Sequence, residues 1–161
     1  MGYLRGWLAV AALVGITVAG STFAQDAKGN AVRAAAEKMT GGFAWRASTL
    51  LTADFNCTGT MQYAMLGTSI KEIAVAIFTD GLDQPPALLR FEADALSIVE
   101  SKIRLDDYAL SAAEITGITG TLPVGYRPSS QCHGVRLSDD RIEAAHIYWD
   151  HDNRRFDSWV Q

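Results

Sequence analysis

"SIKEIAVAIF", Ser69 to Phe78, is the stretch on which the fold turns. Successive side chains on a strand point to opposite faces. Ile73, Val75 and Ile77 therefore share one face, and Ala74, Ala76 and Phe78 share the other. Both faces are apolar, so this strand is expected to be central in its sheet or covered on both sides.

The flanking segments carry weaker versions of the same signal. Upstream, "FAWRASTLL" (43–51) alternates at its start, with Phe43 and Trp45 on one face, and "ADFNCTGTMQYAML" (53–66) carries Phe55, Cys57, Met61 and Tyr63 around Gly59. A glycine inside such a run marks a bulge or a close backbone approach. Downstream, "TDGLDQPP" (79–86) is a loop, because Asp80-Gly81 is a good turn pair and Pro85-Pro86 forbids regular pairing.

Residues 87–104 carry two patterns. One is a pair of strands about a turn at Ala93-Asp94, with Leu89, Phe91, Leu96 and Ile98 inward. The other is a helix with Leu88, Phe91, Ala95, Ile98 and Val99 on one stripe. The alternation of the neighbouring segments favours the strands. Tyr108, Leu110 and Ala112 alternate too, before Gly117 and Gly120 break the pattern. A loop, a short strand ending in a turn at Asp139-Asp140, and two final strands complete the chain.

One helix is expected, Ala31 to Thr40. Asn30 can cap it, Val32, Ala35, Ala36 and Met39 form an apolar stripe, and Gly41-Gly42 stop it. Residues 25–30 read as a loose terminus. One short N-terminal helix followed by many short strands predicts a mainly β domain, a small antiparallel barrel or sandwich.

The first 24 residues have the order of a secretory signal peptide: Arg5, the apolar run Leu8–Ala19, then small residues with Thr22 and Ala24 placed for cleavage before Gln25. The apolar run is short for a bilayer span, which needs about 20 residues. Residues 25–161 then form a single domain, with no stable membrane span after cleavage. The leader holds one of the 14 basic residues and none of the 18 acidic ones. The remainder is mildly acidic, has no basic block, and is not expected to bind nucleic acid. Export to the periplasm is expected over release from the cell. Cys57 and Cys132 are the two cysteines, and an oxidising compartment predicts a disulfide between them. The long loop it would close is worth about 4 kcal/mol in the chain-entropy account.

The C-terminal "HIYWDHDNRRFDSWVQ" (146–161) reads as a hairpin turning at Asp152-Asn153. Asp150 then faces Arg155, Trp149 faces Phe156, Tyr148 faces Asp157, and His146 faces Trp159. Ile147, Trp149, Phe156 and Val160 make an apolar face. His146, Tyr148, Asp150, Arg155, Asp157 and Trp159 make a polar-aromatic one, of the kind that can line a binding site.

No metal-site spacing, phosphate loop, nucleophile elbow or C-x-x-C is present. The reading is therefore an exported small binding or inhibitor-type protein with no cofactor and no metal. Its contacts would be His146, Tyr148 and Trp159, with Trp45 as a further candidate. The partner would be a small molecule or an envelope or extracellular protein. The rival readings are an extracytoplasmic hydrolase or lyase with His146 as base and Asp157 or Asp150 as its partner, and an envelope-associated structural protein.

Overall fold

In the computed structural model, residues 20–139 and 144–160 are described. The first 19 residues of the expected leader, and Asp140 of the expected turn, lie outside them.

β4 (Glu72–Phe78) is the interior strand that its sequence implies. It pairs antiparallel with β3 (Gln62–Thr68) on one side and β5 (Ala87–Glu92) on the other. β1 (Ala44–Trp45) and β2 (Leu51–Ala53), separated by a 3-10 turn at Ala47–Thr49, both pair with the far side of β3. The second sheet is an antiparallel run in chain order: β6 (Lys102–Asp107), β7 (His133–Ser138), β8 (Ala145–Asp150) and β9 (Arg155–Val160).

The sheets pack face to face as a sandwich and do not close into a barrel. Leu66, Ile73, Val75 and Ile77 of the first sheet meet Val135, Leu137, Ala145 and Ile147 of the second. The other face of β4 is covered by α1 (Gly20–Met39). Val32, Ala35 and Ala36 of that helix pack on Trp45, Met65, Ala74, Ala76 and Phe78. Close approach there depends on Gly67, which stands opposite Trp45 in the ladder; a Cβ at this position would lie 2.6 Å from the indole. α1 starts well before Ala31, so residues 25–30 are helical rather than loose.

Two segments expected to be strands are helices. Asp94 is the turn residue foreseen, but its carboxylate accepts hydrogen bonds from Leu96 N (3.0 Å) and Ser97 N (2.8 Å) and so caps α2 (Ala95–Glu100). The strand resumes only at Lys102. Tyr108, Leu110 and Ala112 belong to α3 (Tyr108–Thr119), whose start is supported by Leu110 N donating to Asp107 Oδ1 at 3.2 Å. The stripe that places this helix is Tyr108, Ala112 and Ile115, packed on the outer face of the second sheet. The molecule is thus four layers: α1, first sheet, second sheet, α3.

The disulfide between Cys57 and Cys132 forms, spanning 75 residues. It ties the loop between β2 and β3 to the entry of β7, one sheet to the other. The same corner is closed by His133 N donating to Asp54 O at 3.0 Å. Gln62, almost fully buried, accepts from the backbone N–H groups of Phe55 (2.9 Å) and Asn56 (3.2 Å) and so shapes this loop.

Gly134 has a similar role to Gly67 on the second sheet. A Cβ there would come within 2.5 Å of Ile147 O and 2.8 Å of Tyr108 Cε1. Replacing a glycine by alanine on a strand usually stabilises, through the unfolded chain, by about 0.4–1 kcal/mol. Here overpacking costs about 1–3 kcal/mol and wins. Gly134→Ala should therefore lower the urea midpoint, and an unchanged or raised midpoint would disprove the close approach of Tyr108 to the sheet.

Candidate functional site

The hairpin forms in the register read from the sequence: Asp150 opposite Arg155, Trp149 opposite Phe156, Tyr148 opposite Asp157, His146 opposite Trp159. Trp149 and Phe156 meet edge to face, with centroids 5.0 Å apart. The turn is held by Asp150. Its Oδ1 accepts from Asp152 N (2.9 Å) and Asn153 N (3.0 Å), and its Oδ2 from Asn153 Nδ2 (2.6 Å).

The polar-aromatic face exists, but it is an interior. α3 and the segment carrying Tyr126 cover it. His146 is 1 % exposed and Tyr148 5 %. Trp159 is half-buried, with its ring 4.9 Å from the imidazole. Tyr108, Tyr126 and Tyr148 form a row, each neighbouring pair 5.2 Å apart. Burial pushes the Tyr148 hydroxyl up to about 12 and raises Tyr108 and Tyr126 likewise, so all three stay neutral hydrogen-bonding groups. Tyr126 donates to Tyr108 O (3.0 Å), and Tyr108 Oη accepts from Trp149 N (2.9 Å). Trp45 is not brought to this cluster. It lies on the outer face of the other sheet, under α1.

The carboxylate partner of His146 is neither Asp157 nor Asp150. It is Asp106 on β6, whose Oδ2 is 2.8 Å from His146 Nδ1. The bond reaches across β7 beside Gly134, which stands opposite Asp106 in the ladder and leaves room for it. Ser111 of α3 donates to the other Asp106 oxygen at 2.6 Å, and Glu114 pairs with Arg136 at 3.2 Å. These bonds latch the helix to the sheet. A base oriented by a carboxylate is half of a catalytic arrangement. The other half, an approach to Nε2, is missing: that atom is buried and has no partner among the described residues. Sequence spacing could not reveal Asp106, because the contact depends on two strands 40 residues apart lying next but one in a sheet.

An open concavity lies elsewhere, between the sheets at the α2 end. It has a volume of about 390 Å³ and is lined by Ile73, Phe91, Leu137, Ala145, Val160 and Ser97, among others. Most of these belong to the inter-sheet core or border it, so the cleft is an extension of the core that reaches solvent. Arg46 fixes α2 beside it by donating to the helix's last carbonyls, Ser101 O at 3.1 Å and Ile98 O at 2.5 Å. Nothing in the sequence singles out this cleft, because its apolar walls read as core strands. Among the described residues no group of side chains could hold a metal ion, and no helix is long and apolar enough to cross a membrane.

No known family, curated protein or solved structure matches the chain.

Two outcomes are expected. Removing either partner of the Asp106–His146 bond leaves a buried polar group unsatisfied, at about 2–3 kcal/mol. Asp106→Ala and His146→Ala should each show that loss in urea unfolding, and the double variant should lose clearly less than their sum; strict additivity would mean the two side chains are not coupled. The second outcome concerns acid. The Asn153 side-chain amide and then its backbone N–H hold the Asp150 carboxyl below its usual range. A folded pKa below the unfolded value of about 3.9 gives stability that is complete above that value and lost as the pH falls through the folded one. Asp150→Asn should therefore flatten the decline in Tm below about pH 4; a decline as steep as in the parent protein would exclude Asp150 as its source.

Proposed function

We propose that the protein is an exported, non-catalytic binding protein that takes a small apolar molecule into the cleft at the α2 end of the sandwich. The supporting observation is the cleft itself: apolar walls continuous with the core, open to solvent, and of a volume within the range of small-molecule sites, roughly 300–1,000 Å³. The leader-like order of residues 1–24 and the Cys57–Cys132 disulfide support export, with the periplasm as the compartment.

This moves the binding role away from His146, Tyr148 and Trp159, whose shared face is packed under α3. Those residues then act in stability, holding the helix that covers the second sheet. The hydrolase or lyase reading rests on the Asp106–His146 pair alone and would need α3 to leave the sheet before substrate could reach Nε2.

The test uses the neutral fluorophore N-phenyl-1-naphthylamine with purified residues 25–161. Saturable enhancement in the parent protein is expected. Val160→Trp should weaken it about tenfold by filling the cleft mouth, since Val160 is 57 % exposed and tolerates a larger side chain. Equal binding by both proteins, or no saturable binding, would remove the cleft as the site.

A further inference from the structure

Both sheets end on the same side of the sandwich. β5 is the last strand of the first sheet and β9 the last of the second, and a hollow between them is lined by Leu88 and Leu89 from one and Arg155 and Phe156 from the other. Neither strand has a further neighbour among the described residues. Such an edge presents backbone N–H and C=O groups that another strand can take up, and charged side chains on it normally discourage that pairing. The two edges carry the same short pattern, Arg90-Phe91-Glu92 in β5 and Arg155-Phe156-Asp157 in β9. In β9 the two charges meet each other, Arg155 to Asp157 at 3.4 Å. In β5 they do not.

Glu92 stands directly opposite Glu72 in the β4–β5 ladder. Like charges so placed are destabilising. Arg90 answers one of them: its guanidinium pairs with Glu72 at 2.6 Å and lies over the Phe43 ring at 5.3 Å. Glu92 is exposed and has no ion pair or hydrogen bond among the described residues. Lys71 lines the same shallow hollow as the two glutamates but makes no ion pair with either. The edge is thus short of one cation next to Glu92, and it carries an arginine two residues away on the same face.

We infer that β5 is a self-recognition edge, on which two copies of this chain pair antiparallel about a two-fold axis at Phe91. That axis places Arg90 opposite Glu92 of the partner subunit, and the symmetry makes the same contact twice. Each guanidinium then lies between two carboxylates, Glu72 of its own chain and Glu92 of the partner subunit. An axis one residue earlier would bring the two Arg90 side chains face to face, and one residue later the two Glu92 side chains. The charges therefore select the register and reject unlike strands, while the backbone groups of the edge supply the pairing. This pairing does not depend on ligand binding in the cleft.

The experiment is sedimentation velocity on purified residues 25–161 at low salt and about 100 µM, a concentration at which a weak dimer is populated. The parent protein should sediment as a dimer. Arg90→Glu and Glu92→Arg should each weaken association at least tenfold, because each sets like charges opposite one another twice. An equimolar mixture of the two variants should associate again, since each supplies the charge that the other lacks; a variant that had merely misfolded could not do this. A monomeric parent, a dimer that either single variant leaves intact, or a mixture that stays monomeric would overturn the inference.

Discussion

β4 buries side chains on both faces, and a strand of that kind needs two covers. Its Ile73, Val75 and Ile77 meet the second sheet, and its Ala74, Ala76 and Phe78 meet α1. The small residues on the helix side are a condition of the fit. Alanines at 74 and 76, and glycine at 67 beneath Trp45, let α1 lie close while the larger side chains fill the inter-sheet space. Once the second sheet has one face committed to that space, its own outer face becomes the next surface to be covered. α3 covers it, and the layering ends there with a helix whose far side faces solvent, including Leu110 and Ile118.

That second covering converts an apparent surface into an interior. A row of His146, Tyr148 and Trp159 would be polar-aromatic and accessible on an open hairpin. Under a helix each polar atom needs a partner, and the sequence supplies several: Asp106 for the imidazole, the carbonyl of Tyr108 for Tyr126, the backbone of Trp149 for Tyr108. Each of these bonds links an element to another element rather than to itself. The network therefore specifies where α3 sits and not merely that a helix forms.

The parts legible in the sequence were those decided by neighbours along the chain. Alternation at 73–78 marked the buried strand, and the turn at Asp152-Asn153 set the hairpin with every facing pair in place. The two cysteines implied the disulfide because two residues allow one pairing. The failures have a common cause. Tyr108, Leu110 and Ala112 fit period two over a short span, and Tyr108, Ala112 and Ile115 fit a helical stripe over a longer one. Only the longer window, with Asp107 and its side-chain hydrogen bond at the helix start, separates the two. At Asp94 the residue that starts a turn and the residue that caps a helix are the same, and the residues after it decide between them. Asp106 and the cleft were not legible at all, since the first needs β6 and β8 brought together across β7 and the second needs both sheets in place.

A four-layer arrangement leaves few places for a ligand. The two sheet faces that could have been open are under helices, and the central space is filled by apolar side chains. The places left are the ends of the sandwich, where the strands stop and the core side chains reach solvent. At one end α2 interrupts the return from β5 to β6, and Arg46 holds it at its carboxyl end, so the helix stands beside the gap between the sheets instead of filling it. A two-strand hairpin in this segment would have carried Leu96 and Ile98 inward as added core. The helix instead leaves Leu96 exposed and puts Ser97 at the cleft wall. The departure from the simpler strand pattern at 95–100 thus coincides with the cleft between the sheets that reaches solvent.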